Sequence, residues 1–379
     1  MSVLGFPPDR RVAAWPHRTA GPDRGVVLVT GGSGVVGSAV LPMLGDRPVV
    51  CLTRRSPLPA APDDGTRPTP LVLPGDIRAP RLGLTGRDHA WLLERVDTVL
   101  HSAAVTDFAA PDVTDTNVDG TARVAEFAAV AGAHLVHVST AFAQVGQSGS
   151  GGGASRPETA YARSKLAAEQ VVRSSGARAT VARPSIVVGD SRTGAVARYQ
   201  TVYQVAGAVL TGRIPLAPVD PGWRLDVVAA DAVASALVRL LDGRRAGRTV
   251  WLTAGPAALT LAETASLLVD LGRRWGLPVT LPRFVDPEQY HRLLAPVFLS
   301  ALPAPVRAMA TRLVDHLTSY LATPVAFPTD LPDLVGGVDR VPDPGALWET
   351  CLAPWARSRR IPVPTDPTDL RADREEVAS

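Results

Sequence analysis

Tyr161 and Lys165 stand four residues apart in the segment YARSKLAAEQVVRSS, residues 161–175. In a helix that spacing puts both on one face, within reach of a common substrate. A free phenol has a pKa of about 10, and an ammonium about 5 Å away at an effective dielectric near 20 contributes roughly 3 kcal/mol, about two pKa units. The pair therefore predicts a tyrosine lowered toward neutral conditions, where it exchanges a proton efficiently. Composition singles out the lysine: of 39 lysines and arginines, Lys165 is the only lysine. A compact ammonium with rotatable donors does what a planar guanidinium does not. Ser139 and Thr140 end the segment LVHVST (135–140), where their hydroxyls either hydrogen-bond a reacting oxygen or cap a turn.

A second constellation is TGGSGVVG, residues 30–37, which follows an apolar run and opens a helix-compatible stretch. Thr30, Gly31, Ser33, Gly34, Val35 and Gly37 are the positions expected to face a dinucleotide there. Glycines allow a tight turn and close approach of backbone to a pyrophosphate, and the helix N-terminus offers N–H donors. Pro42 lies too deep in that helix to be tolerated without ending or kinking it. An NAD site usually offers an acidic side chain after the second strand. Here that place holds Arg54 and Arg55, which suit a 2′-phosphate and favour NADP(H). Asp76 and Ile77, closing the third strand, are expected beside the adenine.

The elements that position these residues show in the hydrophobic pattern. Val-rich runs at 26–30, 49–53, 71–77, 98–104, 135–140 and 180–189 lack polar alternation, as strands buried on both faces of a parallel sheet do. Helix-compatible segments such as 120–133 and 161–175 lie between them, the βαβ rhythm of a doubly wound α/β fold. After residue 195 the rhythm gives way to longer apolar segments. The expected organisation is an arm over 1–24, a Rossmann domain over 25–195 and 225–255, a smaller, mainly helical C-terminal substrate lobe over 196–224 and 256–360, and a tail over 361–379. A Pro-rich loop spans 54–70, and a Gly/Ser loop at 145–157 precedes Tyr161 as a lip or a surface insertion.

Composition excludes several classes. Hydrophobic residues make up 46% and the net charge is +3, spread too evenly for a nucleic-acid surface. Cys51 and Cys351 have no metal-ligand spacing, and His134 and His137, three apart in a strand, face opposite sides, so no metal site is expected. His101 reads as structural or cofactor-lining. No leader and no apolar stretch long enough for a membrane span occurs, so the reading is a cytoplasmic protein.

With these residues in view, the chain resembles the extended short-chain dehydrogenase/reductases over about residues 26–255. The resemblance rests on TGGSGVVG, GDI, HSAA, TNVDGT, VST, YARSK and RPSIVVG, in the family's order. It implies that Thr140, Tyr161 and Lys165 form the catalytic group with Ser139 beside it. It also implies that Ser102, Ala103, Ala104, Asn117 and Lys165 line the cofactor, with Pro184, Ser185 and Ile186 at the nicotinamide carboxamide. Within that family the chain is similar to thioester reductases and fatty acyl-CoA reductases, including the reductase domains of carboxylic acid reductases and peptide synthetases. GDIRAPRLGL (75–84), RPSIVVGDSRTG (183–194) and WRLDVVAADAVA (223–234) carry this likeness, and 286–360 resembles the C-terminal part of acyl-CoA reductases. The loop after Arg55 is short for that group, and no carrier or adenylation segment precedes the reductase, so an acyl thioester is expected to arrive in trans.

The function this implies is NADPH-dependent reduction of an acyl thioester, on CoA or on an acyl or peptidyl carrier protein, to an aldehyde, with reduction on to an alcohol left open. Two rivals remain open from the sequence. One is a dehydrogenase or epimerase acting on a hydroxyl or keto group of a sterol-like or nucleotide-sugar substrate. The other is a non-catalytic NADP-sensing protein.

Overall fold

The computed structural model describes residues 25–54, 69–106, 113–144, 159–300 and 322–364, with residues 304, 307, 308, 311 and 314. The expected arm over 1–24, Arg55 and the Gly/Ser loop at 145–157 lie outside the described residues. The chain divides into two compact units. The first comprises Met1–Ala143, Ala160–Pro184 and Val233–Val250; the second comprises Gln144–Thr159, Ser185–Ala232 and Trp251–Ser379.

The first unit is built on a Rossmann-like sheet. Its strands are β1 (Val26–Thr30), β2 (Val49–Thr53), β3 (Leu71–Pro74), β4 (Val96–His101), β5 (His134–Val138), β6 (Ala179–Pro184) and β7 (Thr249–Leu252), in the order β7-β6-β5-β4-β1-β2-β3. β1 through β6 pair in parallel. The order reverses between β1 and β4, the switch point at which such sheets bind ligands beyond their strand ends. β1 and β5 are buried at every position, which is why their sequences are continuous apolar runs without alternation.

Helices α1 (Val35–Val40), α2 (Gly86–Arg95), α3 (Gly120–Ala131) and α4 (Ala160–Ser174) connect the strands. Thr85 caps α2 by accepting from the Asp88 N–H, and α3 stops at Gly132 in the left-handed conformation that glycine adopts without penalty. α1 lasts six residues before Pro42 turns it into a 3-10 turn over Leu41–Met43, as the sequence predicts.

The GDIRAPRLGL segment has a physical reason for its composition. Arg81, Leu82 and Gly83 are all left-handed, at φ 53°, 58° and 70°. The first two conformations each cost about 1–2 kcal/mol. Burial of Leu82 and the bonds Asp76 N–H to Leu82 O (2.9 Å) and Gly75 N–H to Thr53 O (2.9 Å) offset that cost. A Cβ at Gly83 would lie 2.7 Å from the Asp76 nitrogen, and one at Gly75 would lie 2.3 Å from Leu52. The motif staples the ends of β2 and β3 together.

The middle segment of the first unit ends at Pro184. The reason is local: Ile186–Val187 leaves the large sheet and pairs in parallel with Val227–Val228. The second unit is mainly helical, with α5 (Thr201–Leu210), α7 (Leu261–Arg274) and α8 (Pro344–Ser358); α6 (Ala230–Leu240) begins in it and continues into the first. Thr260 and Glu263 form a reciprocal capping box on α7. Gly207 lets α5 meet the Trp355 ring, which occupies the place a Cβ would take. An apolar pocket of about 510 Å³, counting its open mouth, lies among Val202, Ala206, Leu261, Thr264, Ala265 and Phe284. No helix among the described residues is long and apolar enough to cross a membrane.

Candidate active site

The glycine turn after β1 is shaped by the chain's own backbone. Gly31 has φ 75°, and a Cβ there would lie 2.5 Å from the Ala103 nitrogen, because the loop after β4 passes directly over it. A Cβ at Gly37 would lie 2.2 Å from the Gly31 oxygen. These two glycines are demanded by packing. Gly34 differs: its φ of −79° is open to any residue, and a Cβ would meet only the Gly31 oxygen, at 3.3 Å. It is also the N-cap of α1 and offers no side-chain cap to the helix's N–H groups. Free space above Gly34 beside an uncapped helix start fits a pyrophosphate, and half-buried Ser33 and Val35 flank it. Arg54 is exposed at the end of β2.

Asp76 is held by the Arg78 guanidinium through contacts of 2.7–3.2 Å, which keeps its carboxyl ionised down to a pKa of about 2. Its charge is therefore matched within the protein. Ile77 is buried, its side chain filling the place where a Cβ on Gly120 would sit, so it supports the start of α3.

Lys165 is buried, and its ammonium donates to the Val138 carbonyl at 2.7 Å. Burial lowers its pKa to about 8 while Glu169, one turn along α4, opposes that shift. Tyr161 stands one turn earlier and is half-buried. Here the sequence expectation is corrected: desolvation pushes the phenol up to about 12, whereas the ammonium was expected to lower it. The Val138 carbonyl engages that ammonium. A phenol that stays protonated is a proton donor throughout the neutral range. Thr140 is buried at the end of β5; its oxygen accepts weakly from the Phe142 N–H at 3.3 Å, which leaves its own proton for another acceptor.

Several expected site residues spend their side chains on the protein. Ser139 donates to Glu169 at 2.6 Å, so its hydroxyl is not directed to a reacting oxygen. Asn117 sits in a π turn over Asp115–Asp119. Its amide accepts from the Val105 N–H (2.8 Å) and donates to Val105 O and to Ser164 Oγ (both 3.0 Å). Ser164 in turn donates to the Tyr161 carbonyl at 2.8 Å, so Asn117 fixes the tyrosine's turn of helix. Thr30 bonds His101 Nδ1 at 2.7 Å, and Ser102 donates to the Thr30 carbonyl at 2.9 Å. In this loop the backbone and the half-buried Ala103 and Ala104 are what remain for a cofactor. Pro184 ends β6 in the first unit, while Ser185 and Ile186 are buried residues of the second.

His101 is wholly enclosed, its second nitrogen 2.9 Å from Thr121 Oγ1, and burial holds its pKa near about 3. It is a neutral structural group. His134 pairs with Thr180 at 3.0 Å and His137 stacks beside His101; among the described residues no cluster holds a metal. Both cysteines are buried, Cys51 raised to about 12 and Cys351 to about 11, so neither is a thiolate at neutral pH. The residue that sequence reading missed is Glu169. A glutamate in mid-helix carries no motif signal, and only its packing against β5 and β6 reveals its part.

Comparison with known proteins gives likenesses over parts of the chain. Residues 62–237 match the family described as male sterility protein. The chain is 26% identical over 297 residues to a glycine betaine reductase of Emericella nidulans, covering 66% of this chain and 22% of that protein. It is 27% identical over 246 residues to a linear gramicidin synthase of Brevibacillus parabrevis, covering 56% of this chain and 5% of that one. The chain thus spans under a quarter of the length of either relative. Its fold is similar to the terminal R domain from the myxalamid PKS-NRPS biosynthetic pathway, with a TM-score of 0.69, 23% identity and coverage of 91% of this chain and 94% of the other. Over residues 62–237, under half of the chain, it is thus similar to that family, and its fold is that of the solved R domain.

Proposed function

We propose that the enzyme reduces an acyl thioester, presented on coenzyme A or on a carrier protein, with NADPH. The observation that carries this reading is its likeness, over more than half of the chain, to a curated reductase and to a linear gramicidin synthase. NADP(H) is favoured over NAD(H) because Arg54 is exposed where the ribose would lie, while the carboxylate of Asp76 is paired with Arg78. NADPH, when bound, would supply hydride to the thioester carbon. As that bond forms, the carbonyl electron pair moves to oxygen. Thr140 donates a hydrogen bond to the growing oxyanion and Tyr161 donates its proton. Lys165 adds positive charge beside both and holds the cofactor ribose. The resulting hemithioacetal would release its thiol to give an aldehyde; reduction of that aldehyde to an alcohol would take a second NADPH and a second proton. No cysteine of the enzyme takes the acyl group, because Cys51 and Cys351 are buried and protonated.

The test is a panel of acyl-CoA and carrier-bound thioesters with NADPH, following absorbance loss and free thiol together. One thiol for each NADPH consumed in aldehyde formation supports the reading. NADP reduction by a sugar nucleotide or sterol with no thiol released overturns it.

A further inference from the structure

The carboxylate of Glu169 is fully buried on α4, one turn beyond Lys165. It gathers four charge-assisted or short bonds from three elements. Ser139 Oγ at the end of β5 donates to Oε1 at 2.6 Å. Arg183 on β6 grips it as a fork, Nε to Oε1 at 2.8 Å and Nη2 to Oε2 at 2.7 Å, and Arg173 on α4 adds Nη2 to Oε2 at 2.7 Å. Two of the anchors adjoin residues of the candidate site, Ser139 before Thr140 and Arg183 before Pro184, and Glu169 itself shares a helix face with Lys165.

We propose that Glu169 is a positioning residue that keeps Lys165 protonated over the working pH range, and that Ser139 and Arg183 serve to hold that carboxylate in place. This rests on the reading of Lys165 as part of the reductase site. A buried ion is stable only when its geometry satisfies it, and bidentate arginine with a serine hydroxyl does so here.

Among the described residues, the groups around Lys165 leave no other anion to do this. On α4 they are Tyr161, Glu169 and Arg173; on β6, Arg183; on β4 and β5, His101 and His137, both held neutral by burial. Among these ionisable groups Glu169 favours the charged lysine, in addition to the Val138 carbonyl that accepts from it. Removing its charge also leaves two guanidinium groups uncompensated, so the effects of loss add in one direction.

Because the chain has a single lysine, protein labelled with carbon-13 at lysine Cε gives one side-chain resonance, whose titration reports Lys165 alone. Glu169→Gln is expected to lower the Lys165 pKa by about one unit, the scale of one charge a helical turn away partly offset by its arginines. The alkaline limb of kcat/KM moves acidward by the same amount. Arg173→Gln, at a half-exposed guanidinium, is expected to raise the lysine pKa by a few tenths, because the carboxylate becomes less neutralised. An unchanged or raised pKa in folded Glu169→Gln overturns the proposal. Should that variant fail to fold, an unchanged or lowered pKa in Arg173→Gln does so instead. The resonance needs no substrate, so the outcome stands apart from whether the thioester reading survives.

Discussion

The three glycines after β1 look equivalent in sequence and are not equivalent in the structure. At Gly37 a Cβ would meet three backbone atoms at 2.2, 2.7 and 2.8 Å, none of which can swing aside. Gly37→Ala is therefore an overpacking change, worth about 2 kcal/mol and roughly 2–3 °C in Tm. At Gly34 the added methyl meets one atom at 3.3 Å on a backbone that alanine adopts readily. Gly34→Ala should cost less than about 1 kcal/mol in stability, the scale of a changed helix N-cap. That methyl occupies the space left for the pyrophosphate, so NADPH should bind about tenfold to hundredfold more weakly, at 1.4 kcal/mol per decade. Thermal denaturation of the apoprotein and titration of nicotinamide fluorescence read the two effects separately. A Gly34→Ala protein that melts early but binds normally would refute the division of labour, as would a Gly37→Ala protein of unchanged Tm.

Other outcomes follow from the same geometry. Lys165 is needed charged and titrates at about 8 while Tyr161 stays protonated to about 12, so kcat/KM should be flat at neutral pH and fall about tenfold per unit above pH 8; a plateau extending past pH 10 in a pH–rate profile would show that the lysine charge is not used. Arg54→Glu should reverse the cofactor preference by opposing the 2′-phosphate, and NADPH and NADH kinetics that keep their wild-type ratio would remove Arg54 from cofactor choice.

What the sequence disclosed and what it hid follow from the range of the interactions involved. Continuous apolar runs marked β1, β2 and β5 because both faces of the sheet are covered, and Pro42 announced the end of α1 through its own covalent geometry. Tyr161 and Lys165 were visible because one helical turn fixes their relation. Hydrogen bonds between distant segments left no such trace. Asn117 reaches Ser164 across 47 residues, and Ser139 reaches Glu169 across 30. From sequence alone, their polar side chains beside a site read as ligands for cofactor or substrate; in the fold they are fasteners. The misjudged phenol has the same origin, since a pairwise charge argument omitted the desolvation that dominates at Tyr161 and the Val138 carbonyl that engages the ammonium.

The most direct test of the reductase account uses NADPH carrying deuterium at the transferable position, with an acyl thioester and mass analysis of the product. The account predicts an aldehyde or alcohol with deuterium on the former carbonyl carbon, formed together with free thiol, and lost in Tyr161→Phe protein that still binds NADPH. Deuterium retained on the cofactor while the thioester is consumed, or full turnover by the Tyr161→Phe protein, would contradict it.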